Sequence, residues 1–209
     1  MTRYFSLHSE NPQKRIINQA VEALQAGKVI AYPTDSAYAL GCLFNNRLAV
    51  ETIRRIRQLD EKHPMTLICD NISQVAQYAA ISDRDYKIIK KLTPGPYTFL
   101  LKATKNIPKI AQGSKRKEVG IRIPHHAIPL KLVEELGEPL LSSTLWIPGE
   151  PAPIEDPNLI VEATNRMVDL VLDGGLCYPG ATTVIDLLGD TPIVIRSGSG
   201  GLEDVKEYF

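Results

Sequence analysis

Short apolar runs alternate along the chain with stretches whose apolar residues recur every three to four positions. Residues 11–27 carry Ile16, Ile17, Ala20, Val21 and Leu24 on one face, with Asn11 able to cap, Pro12 suited to the first turn and Gly27 able to close. That stripe predicts a helix lying on a sheet. Val29-Ile30-Ala31-Tyr32 predicts a short buried strand that stops at Pro33. A second helix is predicted from Asn45 or Asn46 to about Arg57, with Ala49, Ile53 and Ile56 inward. Ser82 and Asp85 resemble a capping box for a helix ending near Lys91, and 127–136 predicts another, closed by Gly137. Strands are predicted at 65–69, 97–101, 120–123, 140–144, 168–172, 182–187 and 192–196, with a helix at about 158–166. Four prolines make 147–157 an irregular surface loop.

Strands and helices are interspersed, with no internal repeat and no shift in composition to mark a boundary, so one α/β domain with a mixed twisted sheet is expected. The 44% hydrophobic content supports a sizeable core and makes disorder a poor reading. Lys+Arg and Asp+Glu are each 24, so any basic surface must come from local segregation of charge. No apolar run approaches the ~18 residues of a membrane span. The polar N-terminus lacks the apolar centre of a signal peptide. Cys42, Cys69 and Cys177 are spaced for neither a zinc site nor a disulfide framework, and are expected to be small buried hydrophobes of a cytoplasmic protein.

Several strands end in polar or Arg-bearing segments, and the crevice outside the strand ends of an open α/β sheet is where ligands bind. Pro33-Thr34-Asp35-Ser36 is either a plain β-turn or the edge of such a site. In Thr93-Pro94-Gly95-Pro96-Tyr97-Thr98, a glycine between two prolines makes either a rigid turn or a close backbone approach to a ligand. Ser142, Ser143 and Thr144 follow an apolar pair and offer hydroxyls to carboxylate or phosphate oxygens, although strand edges and caps use the same residues. Arg122, between two isoleucines, points either to water or into a cleft where its fork grips an anion. Arg196 ends Ile193-Val194-Ile195 in the same layout, and Thr182-Thr183 opens the strand before it. His8, His125 and His126 read as non-catalytic, and no metal site is expected.

Taken in register, Tyr32-Pro33-Thr34-Asp35-Ser36, Thr93 to Thr98, Gly120-Ile121-Arg122-Ile123-Pro124, Thr182 to Asp186 and Val194-Ile195-Arg196-Ser197-Gly198 resemble the YrdC-like domain. The resemblance runs from about residue 14 to 198 of a single domain spanning 1–209. Arg57-Gln58-Leu59, Tyr38-Ala39-Leu40-Gly41 and Ser142-Ser143-Thr144 with Pro148-Gly149 most resemble its YciO-type branch. The resemblance implies a twisted open mixed sheet flanked by helices, with a concave, positively charged face. It implies synthesis or handling of L-threonylcarbamoyladenylate from L-threonine, bicarbonate and ATP, in the service of the threonylcarbamoyladenosine modification of tRNA. Carried across, Thr34, Arg122 and Ser142 hold the threonine, with His63 near it. Thr98, Thr144 and Arg196 contact the nucleotide, joined by Thr183 and Arg57. Arg57 and Arg196 are the candidates for charge stabilisation, with Mg²⁺ riding on the phosphates.

Two departures stand out. The synthases' Lys-x-Arg at the end of the second helix is here Arg57-Gln58-Leu59, and their Ser-x-Asn is Thr144-Leu145-Trp146. A hydrogen bond to a charged group contributes ~1.5–3 kcal/mol, so losing one cation costs roughly 10- to 150-fold in triphosphate binding. Lys102, Lys105, Lys109, Lys115, Arg116 and Lys117 form a basic stretch without an acid. By resemblance it binds RNA, tRNA or another double-stranded RNA, through phosphate and 2′-hydroxyl contacts; otherwise it is a solvated loop. An enzyme of adenylate chemistry and a non-catalytic RNA-binding accessory factor in tRNA or ribosome maturation therefore both stay open.

Overall fold

A computed structural model describes residues 2–60, 63, 65–112, 117–177 and 180–209. The N-terminal half runs β1 (Arg3–Ser6), α1 (Lys14–Gln25), β2 (Ile30–Tyr32), β3 (Ala39–Cys42), α2 (Arg47–Arg57), β4 (Thr66–Ile68), α3 (Ile72–Tyr78), β5 (Ala79–Ala80) and α4 (Asp83–Leu92). The remainder runs β6 (Tyr97–Ala103), β7 (Glu118–Arg122), α5 (Ala127–Leu136), β8 (Leu140–Thr144), α6 (Ile160–Ala163), β9 (Leu170–Asp173), β10 (Thr183–Asp186) and β11 (Ile193–Arg196). The strands form one sheet in the order β1-β9-β2-β3-β8-β4-β7-β6-β10-β11, with β5 beside β6. Pairs β1/β9, β2/β9, β4/β7 and β6/β10 are parallel and the others antiparallel, which is the mixed open sheet expected from the sequence.

Local chemistry sets the helix ends. Asn46 accepts the amide of Ala49 at 3.0 Å to start α2. Ser82 and Asp85 exchange their backbone amides to start α4, the reciprocal box legible in the sequence. Gly137, at φ 71°, ends α5 in the left-handed region. Gln13 rather than Asn11 occupies the N-cap of α1. The expected helix at about 158–166 is instead a 3₁₀ turn at Pro157–Leu159 followed by α6, which stops short of Asn165 and Arg166 with their left-handed φ of 49° and 57°. The strands β1 and β3, the helix α3 and a 3₁₀ segment at Glu203–Tyr208 carried no expectation.

Alternation along the strands sorts the core into two layers. On one face Ile53 and Ile56 of α2 and Ile88 and Ile89 of α4 pack on Leu40, Leu67, Phe99 and Ile121. On the other, Ile17 and Leu24 of α1 with Leu132 and Val133 of α5 cover Ile30, Leu140, Leu170 and Leu172. That second cover extends over only part of the sheet. Beyond β8 the register pairs Thr66 with Ser142, Ile68 with Arg122 and Val184 with Thr98, so these side chains share the uncovered half of the face. Among the described residues no helix is long and apolar enough to cross a membrane. Cys42, Cys69 and Cys177 are free and buried.

Chain closure beside β10 is tight. Ser199 N donates to Ala181 O at 2.9 Å, and a Cβ on Gly198 would lie 2.1 Å from that same oxygen, a clash with backbone that no rotamer relieves. Gly198→Ala is therefore expected to destabilise the fold by about 2 kcal/mol or more, read as a lowered urea midpoint; an unchanged midpoint would contradict this packing.

Candidate functional site

The uncovered half of the sheet forms the floor of a cleft of about 400 Å³. Arg122, Ser142, Thr98, Thr144, Arg196, Arg57 and His63 all line it, so seven of the residues singled out from the sequence converge on one hollow.

One end is organised by the turn after β2. Thr34 Oγ1 accepts the amides of Ser36 and Ala37 and donates to Ala37 O at 2.7 Å, which ties Pro33-Thr34-Asp35-Ser36 into a closed turn. Thr34 therefore stands behind the cleft wall rather than in it. The turn also carries a charge: Arg122 Nη2 donates to Asp35 Oδ1 and to Ser36 Oγ at 2.9 Å, with Thr34 Oγ1 at 3.4 Å. Asp35 Oδ2 meanwhile accepts the amide of His125 at 2.9 Å. The Nε of Arg122 is buried without a hydrogen-bond partner among the described residues. Such a donor is unusual in a folded protein and fits a group that waits for a ligand acceptor. Next to it, the fully buried Tyr32 hydroxyl lies 2.6 Å from Ser142 Oγ. Burial pushes the Tyr32 phenol well above its ordinary range, so it stays protonated. Either hydroxyl can donate in this pair, which holds Ser142 in place at the cleft.

The other end is built on β10 and β11. Thr98 and Thr182 hydroxyls meet at 3.1 Å. Arg196 donates from Nε to Thr182 O at 3.1 Å and from Nη2 to Thr182 Oγ1 at 3.0 Å, which fixes its fork above the floor. Thr183 is not part of this wall. It alternates to the opposite face, donates to Gly200 O at 2.8 Å and accepts the amide of Gly198 at 3.0 Å, so it holds the chain after β11. Thr182 takes the position expected of Thr183. Its neighbour in sequence hid it, because either of two adjacent threonines satisfies a strand-entry pattern.

At the end of β8, Arg57 donates from Nε to Ser143 Oγ at 3.3 Å and from Nη1 to the carbonyl of Trp146. Trp146 lines the cleft, and its indole Nε1 donates to Glu150 O at 2.8 Å. Leu59, in contrast, packs against the core, away from the hollow. Burial, then the nearby Arg54 and Arg57, lowers the His63 pKa below its usual value, so the ring is neutral at neutral pH. Among the described residues no group of three or more His, Cys, Asp or Glu could hold a metal ion. Lys102, Lys105, Lys109 and Lys117 are exposed around the outer ends of β6 and β7, while Lys115 and Arg116 lie outside the described residues. Ser36, Ser143 and Trp146 also line the cleft. Of these, sequence pattern pointed to Ser143 and Trp146, and Asp35 entered only as a turn former.

A family model for Sua5, YciO and YrdC proteins, described as Telomere recombination, matches residues 22–198. YciO of Escherichia coli strain K12 is 45% identical over 209 residues, the whole of both chains. The crystal structure of E. coli YciO superposes with a TM-score of 0.93 over 97% of this chain and 98% of that one. A threonylcarbamoyl-AMP synthase of Photobacterium profundum is 30% identical over 188 residues, 87% of this chain and 98% of the relative. Pyrococcus abyssi Sua5 complexed with L-threonine superposes at TM-score 0.90 with 25% identity, covering 100% of this chain and 61% of Sua5.

Two histidines tie stability to pH. His126 Nδ1 accepts the amide of Ile128 at 3.2 Å and caps α5, and burial, with Arg122 and His125 nearby, lowers its pKa as it does that of His63. The unfolded chain therefore takes up protons first as pH falls through the ordinary histidine range near 6.5, and stability present above that range is lost below it. The urea midpoint is expected to fall between pH 7.5 and 5.5. His126→Asn, which keeps an acceptor at the cap, should flatten that slope; a slope unchanged in the variant would remove His126 from the account.

Proposed function

The chain belongs to the Sua5/YciO/YrdC family, and from that premise we propose that its cleft binds an adenylate at one end and an L-threonine-derived group at the other. The observation that carries this reading is the buried Arg122 Nε, a cationic donor without a partner among the described residues, on a side chain that lines the same hollow as Arg196. A guanidinium fork is suited to bidentate contact with a carboxylate or phosphate. Arg122, with Ser142 beside it and His63 nearby, is the carboxylate and amino-acid end. Thr34 serves that end by building the turn that orients Arg122. Arg196, with Thr98, Thr182 and Thr144, is the nucleotide end.

The corresponding activity is synthesis or handling of L-threonylcarbamoyladenylate, with ATP as the nucleotide source and Mg²⁺ on its phosphates. Catalysis of this kind is mainly positioning and stabilisation of charge developing at phosphorus. Arg57 and Arg196 are the cations available to that charge, and no acid–base side chain is required of the protein. The name of the P. profundum relative and the L-threonine complexed with Sua5 support this class of ligand. Calorimetry tests it. Arg196→Ala is expected to weaken AMP binding about 10- to 150-fold, the loss of one charge-assisted hydrogen bond; unaltered AMP affinity would overturn the assignment.

A second reading, double-stranded RNA binding in tRNA or ribosome maturation, is favoured by the lysines around the outer ends of β6 and β7. Lys102 sits on the cleft side of β6, and Ala103 N donates to Lys117 O at 2.8 Å, which brings Lys117 beside it with Lys105 and Lys109 exposed nearby. Changing Lys105, Lys109 and Lys117 together to Ala is expected to lower RNA affinity and to flatten its dependence on salt by about two to three phosphate contacts. Pyrophosphate release that requires both L-threonine and bicarbonate marks the enzyme; RNA binding without it marks the accessory factor. Superimposable salt titrations of the two proteins would dispose of the lysine surface.

A further inference from the structure

Three arginines line the cleft among the described residues, and each is held differently. Arg122 faces the Asp35 carboxylate. Arg196 rests on Thr182 through uncharged contacts. Arg57 is turned sideways, with Nε on Ser143 Oγ and one terminal nitrogen on the carbonyl of Trp146. Two of its five donors thus fix the plane of its fork.

The carbonyl it holds belongs to a loop closed on itself. Trp146 N donates to Thr144 O at 3.0 Å, its indole donates to Glu150 O at 2.8 Å, and Ile154 N donates to Leu145 O at 3.0 Å. Trp146 and Pro153 present this loop to the cleft. Arg57, Ser143 and the Trp146 loop therefore form one latch on the wall of the hollow.

We propose that this latch makes the resting cleft selective for an adenylate bearing one phosphate, an acyl-adenylate or AMP, over a nucleoside triphosphate. The inference rests on the nucleotide reading above and narrows it. An acyl-adenylate that ends in a carboxylate carries one negative charge on its phosphate and one on the carboxylate, and Arg196 and Arg122 stand at the two ends to meet them. A triphosphate adds two charged groups, and Arg57 is the third arginine of the cleft left to meet them. To grip them bidentately Arg57 must leave both Ser143 and the Trp146 carbonyl, and the loop that carries that carbonyl must move. Among the described residues no acidic cluster offers a divalent ion a protein anchor that would compensate.

Titration calorimetry of AMP, ADP and ATP against the full chain, with and without Mg²⁺, tests this. ATP is expected to bind at least tenfold more weakly than AMP. Trp146→Asn, which removes the indole tether to Glu150, and separately Ser143→Ala, which removes the hydroxyl under Arg57, should each narrow the AMP-to-ATP ratio at least threefold. Circular dichroism establishes that each variant is folded. Affinity that rises with each added phosphate in the unmodified chain, or a ratio unmoved in both folded variants, overturns the latch. If AMP binds and Arg196→Ala weakens it while ATP binds more tightly still, the latch alone fails. If no nucleotide binds at millimolar concentration, the nucleotide reading and the latch fail together.

Discussion

Arg122 leaves the end of β7 with its guanidinium almost wholly out of water, and a charge in that position needs compensation within hydrogen-bond reach. The compensation comes from Asp35, 87 residues away in sequence, at a turn knotted by the Thr34 hydroxyl. Removing one partner of a buried pair leaves the other uncompensated, a loss of about 3–5 kcal/mol. The pair therefore locks the turn after β2 to the end of β7 across the intervening β3, β8 and β4, and holds one end of the cleft in shape before any ligand arrives. Asp35 uses its second oxygen on the amide of His125, so the same carboxylate also steers the chain into α5.

The cleft exists because one face of the sheet is incompletely covered. Helices α1 and α5 bury the residues of β2, β8 and β9 that point toward them, and beyond β8 the strands place Thr66, Arg122, Thr98 and Val184 on that face with no helix above. An uncovered apolar face would associate with itself; this one is dressed with hydroxyls and guanidinium groups. The opposite face is apolar along most of its strands and carries α2 and α4. Asymmetry between the two faces, rather than any single loop, makes room for a ligand.

Much of this was legible in the chain. Strong stripes such as Ile16 to Leu24, and caps such as Ser82 with Asp85, name their elements because periodicity and capping are local. The short strand β3, Ala39-Leu40-Gly41-Cys42, was not legible: all four residues are buried, so polarity never alternates, and glycine reads as a turn. The same locality limits the site. Apolar strands ending in Arg point to Arg122 and Arg196, but the choice between Thr182 and Thr183 depends on which face a residue takes, and a shift by one position reverses it. Asp35 reads as a turn former in sequence because its charge partner is supplied by a distant strand.

Leu59 has a packing role that its aligned position alone does not show. In the synthases the resemblance puts a cation there, which suggests a lost phosphate contact. Here Gln58 takes a left-handed conformation at φ 51°, and Leu59 N reaches back to Arg54 O at 2.9 Å. Those are the marks of a helix stop in which the residue after the left-handed one packs its apolar side chain on the last turn, and Leu59 does pack on the core. Arginine at 59 would have to give up that contact to reach the cleft. At the site itself, the cation that α2 supplies, Arg57, is held by the hydroxyl of Ser143 and the backbone carbonyl of Trp146, so it meets the cleft from the wall.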